Sequence, residues 1–203
     1  MYLEMNEILE IIKSIGVIVA SGVAIWGINS WRREAKWKRK YELAEEVLAN
    51  FYEAHQAIQI IRSPFGFGHE GSSRPRQDNE TKEESQIYDQ AYVTRERFER
   101  NKTSFEKLHS LKFRFIALYG KEYEQHFDKF NQTVNKIFFA SDQIAMVRLG
   151  EYGVDKEFIR ETMKESREIL YSRTNKDDKI ESELEEAIKA IETKCRKIIG
   201  KNN

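Results

Sequence analysis

Between Ser14 and Trp31 the chain runs for eighteen residues, SIGVIVASGVAIWGINSW, without a charge. Coiled into a helix such a run covers about 27 Å, close to the ~30 Å hydrocarbon thickness of a bilayer. Ile11 and Ile12 lengthen it if Lys13 snorkels to the interface, and Trp31 and Trp37 suit the headgroup region. The flanks differ in sign. Glu4, Glu7 and Glu10 stand before the run against one Lys13; Arg32, Arg33, Lys36, Lys38, Arg39 and Lys40 follow it, interrupted only by Glu34. Basic flanks stay in the cytoplasm, so the expectation is a single-pass inner-membrane protein with its N-terminus out and its remaining mass inside. A cleaved signal peptide would carry a basic leading region and a small-residue cleavage site, and neither is present. A buried helix of a soluble fold and a nucleic-acid patch at the basic cluster are the competing readings. The position of the cluster directly after an apolar run makes membrane flanking the simpler cause.

The same run carries a pattern of small residues. Gly16, Ala20 and Ala24 recur at intervals of four, with Gly27 near the same side and the amide of Asn29 beyond them. Small residues so spaced let helix backbones approach in lipid, which points to a homo-oligomer. Glycine and alanine are also common in any membrane helix, so the pattern is equally compatible with a single chain.

From Tyr41 onward the chain reads as all-α. Pro64 and Pro75 are its only prolines, so helices are free to form on either side of them. Tyr41, Ala44, Leu48, Phe51, His55, Ile58 and Ile61 keep helical spacing and continue the first helix to just before Pro64. The stretch from Ser63 to Asn79, SPFGFGHEGSSRPRQDN, is rich in Gly, Pro and Ser and reads as a loop. Its Phe65 and Phe67 either dock a protein partner or the bilayer surface, or fold back onto the helices. Thr81 with Glu84 forms a capping box for a second helix, whose residues Ile87, Ala91, Thr94, Phe98, Asn101, Phe105, Leu108, Lys112, Phe115 and Tyr119 resemble a coiled-coil seam and end at Gly120. A third helix uses Tyr123, Phe127, Phe130, Val134, Ile137, Ser141 and Ile144 and stops near Gly150 and Gly153. Asp155 caps a fourth (Phe158, Thr162, Ser166, Ile169), and Asp178 a fifth (Leu184, Ala187, Ile191, Cys195, Ile198). The expected organisation is a membrane anchor with its basic segment over 1–40, then an antiparallel cytoplasmic bundle over 41–203 with a loop at 63–80.

Chemistry is sparse. Lys and Arg number 34 against 34 Asp and Glu, so the chain lacks the basic bias of a nucleic-acid binder. The one cysteine, Cys195, excludes an internal disulfide and a cysteine zinc site, and reads as a buried filler. There is no GxxxxGK[ST] or GxSxG; Gly66, Gly68 and Gly71 spell GxGxxG, but the stretch follows a helix rather than a strand, so it does not read as a dinucleotide fingerprint. His55, His69, His109 and His126 form no HxxxH or HExxH. Glu122 with His126 and Glu106 with His109 share helix faces, but the other inward positions are Phe, Ile and Leu, so neither a metal nor a cofactor is expected.

Two Arg-to-His pairs remain, Arg62 with His69 and Arg100 with His109. They resemble the Arg-x4-6-His signature of HEPN-type helical ribonucleases, although the second pair is spaced more widely. The resemblance implies RNA cleavage across a dimer, with Arg stabilising the phosphorane and His moving a proton. The layout of membrane helix and helical bundle also resembles the CRISPR-associated membrane accessory proteins of the HEPN-like kind, which implies a pore in antiviral defence. The segments YELAEEVLANFYEAHQAI, IRSPFGFGHEG and FRFIALYGK are similar to those of bacterial membrane-anchored proteins, a likeness that implies a location but no activity. Three readings follow: a non-catalytic anchored module that self-associates or binds a partner, an oligomeric pore or membrane-disrupting effector in stress or antiviral defence, and a tethered ribonuclease.

Overall fold

The computed structural model describes the chain apart from Met1, Tyr152, Val154, 173–177 and 201–203; the side chains of 2–9, 11, 12 and 14 also lie outside the described set. The acidic flank at Glu4 and Glu7, the extension through Ile11 and Ile12, and most of the connection before Asp178 fall on those positions. Five α-helices make up the fold: α1 (Tyr2–Ile61), α2 (Lys82–Tyr119), α3 (Glu124–Arg148), α4 (Lys156–Leu170) and α5 (Lys179–Ile199). A single 3₁₀ turn, Lys121–Tyr123, links α2 to α3. No strand occurs among the described residues. The chain divides into two units, Met1–Leu43 and Ala44–Asn203.

In the first unit α1 is helical, and the described large apolar side chains of its uncharged run lie open. Ile15, Val17, Ile18, Val19, Val23, Ile25, Trp26, Ile28 and Trp31 are all between 52% and 70% exposed. The α1 helix is the one helix among the described residues long and apolar enough to cross a membrane, and none of its apolar window is buried.

In the second unit the caps form where short-range chemistry requires them. The Thr81 hydroxyl accepts from the Glu84 amide at 3.2 Å while the Glu84 carboxylate accepts from the Thr81 amide at 2.8 Å, the reciprocal capping box. Asp155 accepts from the Glu157 and Phe158 amides and opens α4. Asp178 accepts from the Glu181 amide and opens α5. Gly120 closes α2 at a φ of 112°, a region that costs a side-chain-bearing residue strain.

The central element is α3, which packs against α2, α4 and α5. Phe51 of α1 sits edge-on to both Phe127 and Phe130 of α3, with ring centroids 4.8 and 5.2 Å away. The core around them is Val47, Ile58, Phe115, Ile137, Leu184 and Ile191, each 0% exposed. Aromatic pairs in this geometry add about 0.5–1.5 kcal/mol beyond simple burial. The heptad-like seam of α2 is used up inside this core. Phe105, Leu108 and Phe115 are buried, so that face is not available to a second chain.

Directions match expectation for the first three helices. Arg114 pairs with Glu46 and Arg97 with the Ile60 carbonyl, so α2 runs against the last part of α1. Arg95 pairs with Asp142 and Lys112 with Asp128, so α3 runs against α2. The last two helices depart from a simple hairpin. Ser166 of α4 bonds Gln143 late in α3, while Glu183 of α5 takes Lys129 and Lys136 earlier in it. The α4 and α5 helices therefore divide the length of α3 between them. On α4 the buried positions are Thr162, Ser166 and Leu170, and Phe158 is 48% exposed. The inward face thus lies one residue beyond the expected one at its C-terminal end.

Candidate interaction site

Two buried arginines organise the end of the bundle where α1 gives way to the loop. Arg62 is 1% exposed. Its Nε donates to the Ile169 carbonyl at 2.8 Å, and its Nη2 donates to the carbonyls of Glu168 (3.1 Å) and Tyr171 (3.3 Å) and to Asp178 Oδ1 (3.0 Å). The last carbonyls of a helix have no partner within it and carry its negative dipole end. Arg62 supplies both the missing donors and the positive charge for α4. Through the same guanidinium it holds Asp178, which caps α5. The Ser172 amide closes the arrangement by donating to the Arg62 carbonyl at 3.0 Å.

Arg97 does for α1 what Arg62 does for α4. It is 5% exposed. Its Nη1 donates to the carbonyls of Ile60 (3.3 Å) and Ser63 (2.7 Å), and its Nη2 to Phe65 (2.6 Å) and to Glu70 Oε2 (2.6 Å). Glu70 in turn accepts from the Phe67 amide at 3.2 Å. The bond from Arg97 holds the Glu70 carboxyl below the ordinary glutamate range.

The loop is fastened at two further points. The Gly71 amide donates to Glu96 at 2.6 Å, and Gly71 has a φ of +87° with its Cα so close to α2 that an added Cβ would lie 1.9 Å from the Asp89 carbonyl. Only glycine fits there. Farther on, Arg74 pairs with Glu80 and with Asp89 and lies over the Tyr88 ring. The Arg74 guanidinium holds the Glu80 carboxyl down at about 2.

On this locked backbone Phe65 and Phe67 are 84% and 85% exposed. Of the two readings of these phenylalanines, folding back onto the helices is the one the structure rejects. The loop is neither loose nor buried; it presents two aromatic rings from a fixed base.

The remaining candidates separate. Arg62 is enclosed and its Nε and Nη2 donate to main-chain carbonyls and Asp178, so it has no open path to a phosphate, whereas His69 is exposed on the loop. Arg100 is exposed and held by Glu96 and Glu70. His109 is exposed and lies edge-on to Phe113. Among the described residues neither His69 nor His109 has an arginine for a hydrogen-bond partner, so neither Arg–His pair assembles within one chain. His55 is satisfied by Glu181, 2.6 Å away. His126 is partly buried, and burial lowers its pKa. No three His, Cys, Asp or Glu among the described residues converge to hold a metal ion. Cys195 is 0% exposed and burial pushes its thiol up to about 12, the behaviour of a filler. An open cleft of about 420 Å³ lies beside Tyr88, Tyr92, Arg95, Asp142 and Met146. Of the charges that line it, Arg95 and Asp142 are spent on one another in a two-bond pair.

In the anchor, Gly16 and Gly27 have open space where a side chain would go, and Ala20, Ala24 and Asn29 are exposed with them. Arg32, Arg33, Lys36, Lys38, Arg39 and Lys40 are exposed on the same helix. The residues missed from the sequence are Arg97, Glu70 and Arg74. One signal was legible: Arg97 falls three residues after Thr94 and four before Asn101, so a charge sits on an otherwise inward seam.

Comparison with protein-family models, with curated proteins and with solved structures finds no match to this chain.

Proposed function

We propose that this chain is a single-pass membrane protein of the bacterial inner membrane whose helical bundle is a non-catalytic interaction module on the cytoplasmic side. The observation that carries the reading is the uncovered apolar surface of α1 from Ile15 to Trp31, where every large apolar side chain is at least half exposed. Nine such side chains left in water forgo up to about 1.5–3 kcal/mol each relative to full burial, and lipid supplies that burial. The Phe65–Phe67 loop is the part that meets a protein partner. Its rings are exposed while its backbone is locked by Arg97, Glu70 and Gly71, so little conformational entropy remains to be lost on docking. Exposed aromatics are favoured as interface anchors. The ribonuclease reading gains no support from Arg62, whose guanidinium is enclosed. The pore reading needs a subunit count rather than any feature of one chain.

The test is fractionation of the full-length protein. It remains in membranes after alkaline carbonate washing if α1 spans them, and release into the supernatant refutes the reading.

A further inference from the structure

The six cations after the apolar run do not form an even collar. With about 100° between successive residues, Arg39, Arg32, Lys36, Lys40 and Arg33 fall within roughly 120° of the helix circumference. Glu34 and Lys38 fall on the other side, and Lys38 has Glu42 3.9 Å away. Both carboxylates of the segment, Glu34 and Glu42, are therefore off the stripe. Among the described residues Arg32, Arg33, Lys36 and Arg39 have no carboxylate within ion-pair distance. Several cations of the bundle do have such partners: Lys112 has Glu124 and Asp128, Arg95 has Asp142, and Lys129 has Glu183. Like charges three and four residues apart on one helix repel and destabilise it. Four of them, Arg32, Arg33, Lys36 and Arg39, left without internal counter-charge on one side of the helix are arranged for an external polyanion.

We infer that the one-sided stripe of Arg32, Arg33, Lys36, Arg39 and Lys40 is a binding site for anionic phospholipid headgroups. Continuity with the apolar run identifies the occupant. The stripe begins at the residue after Trp31, whose ring is 68% exposed at the end of that run, so the first phosphates it meets are those of the leaflet the helix enters. Arginine adds two-point hydrogen bonding to phosphate oxygens, and lysine adds point charge. Because the cations share one side, the lipid is held on that side and fixes the rotation of α1 about its axis, which an even collar would not do. The inference rests on the anchor reading above.

The experiment uses the full chain in nanodiscs of equal parts phosphatidylcholine and phosphatidylglycerol, with phosphatidylglycerol retained per chain counted by mass spectrometry after gentle extraction. Wild type should retain phosphatidylglycerol above its share of the disc. The pair Glu34→Gln with Lys36→Gln keeps the net charge but removes the centre of the stripe, and should lower that enrichment about fivefold. Lys38→Gln lowers the net charge off the stripe and should leave it unchanged. Loss in Lys38→Gln equal to or greater than that in the charge-neutral pair would show diffuse charge attraction and overturn the site. So would a wild type that enters discs stably yet shows no enrichment, with the anchor reading left standing. Removal of the lipid by inorganic phosphate would mark a general anion site, and preferential capture of an RNA oligonucleotide would mark a different class of partner; either overturns the lipid assignment. A chain that fails to enter discs at all refutes the anchor and the site together.

Discussion

Arg62 and Asp178 are buried against each other, with Nη2 3.0 Å from the carboxylate and 1% and 4% of the two side chains exposed. The pair joins three helix ends, because Arg62 closes α1, donates to the last carbonyls of α4, and holds the residue that caps α5. Removing one member leaves the other's charge buried without a partner, which costs about 3–5 kcal/mol. Arg62→Met is therefore expected to lower the melting temperature by roughly 10 °C, at about 2–4 °C per kcal/mol for a chain of this size. Arg62→Lys should recover only part of the loss, since a point charge cannot serve carbonyls in several directions. Thermal unfolding of the full-length protein in detergent checks both.

Gly71 should be intolerant of any side chain. At a φ of +87°, with a Cβ falling 1.9 Å from the Asp89 carbonyl, Gly71→Ala must lift the loop off α2. The expected loss is about 1–3 kcal/mol. Amides of 63–80 should exchange hydrogen faster in the variant, while those of α3 should be little changed.

The fastening of the loop should weaken in acid. Glu70 and Glu80 both have carboxyls held below the ordinary value of 4.5, Glu70 by its bond from Arg97 and Glu80, at about 2, by Arg74. A depressed folded value gives stabilisation that is complete above the ordinary value and disappears as pH falls through the folded one. The loop should thus detach between about pH 4.5 and pH 2, and limited proteolysis within 63–80 should rise over that window. Glu70→Gln should already show enhanced cleavage at pH 7.

Phe65→Ser with Phe67→Ser separates binding from stability. Both rings are more than four-fifths exposed, so the double variant should melt within about 0.5 kcal/mol of wild type. It should lose cross-links to partner proteins formed from position 66 in cells. Retained cross-links at wild-type yield would remove the loop from the interface.

Self-association through the anchor is tested by Gly16→Leu and Ala20→Leu. If helices meet on the small-residue face, a leucine there holds the backbones apart and should reduce the oligomer seen by light scattering in mild detergent. An unchanged oligomer size would place the contact elsewhere.

Much of this fold is legible in the sequence because its signals are local. The capping box of Thr81 and Glu84, the caps Asp155 and Asp178, and the break at Pro64 each depend on residues within a few positions of one another. The buried arginines are not local. Arg62 and Arg97 act on carbonyls at the ends of other helices, and a carbonyl has no residue type to betray it. The spacing of Arg62 and His69 suggested a catalytic pair; burial turned Arg62 inward instead, toward the end of α4. Phe65 and Phe67 could be read either way until Arg97 and Gly71 showed that the backbone beneath them is fixed and the rings point out. The order of α4 and α5 along α3 also depends on tertiary packing, since short connections alone favour a hairpin.

The central claim, one membrane span with the bundle inside, is tested most directly by thiol labelling. The native Cys195 is buried and its thiol sits at about 12, so it stays unreactive and need not be replaced. Single cysteines are placed by Asn6→Cys and by Phe67→Cys in the full-length protein, and right-side-out spheroplasts are exposed to a membrane-impermeant maleimide. The account predicts that Asn6→Cys is labelled at once and Phe67→Cys only after lysis. Labelling of Phe67→Cys in intact spheroplasts, or of neither position before lysis, would contradict it.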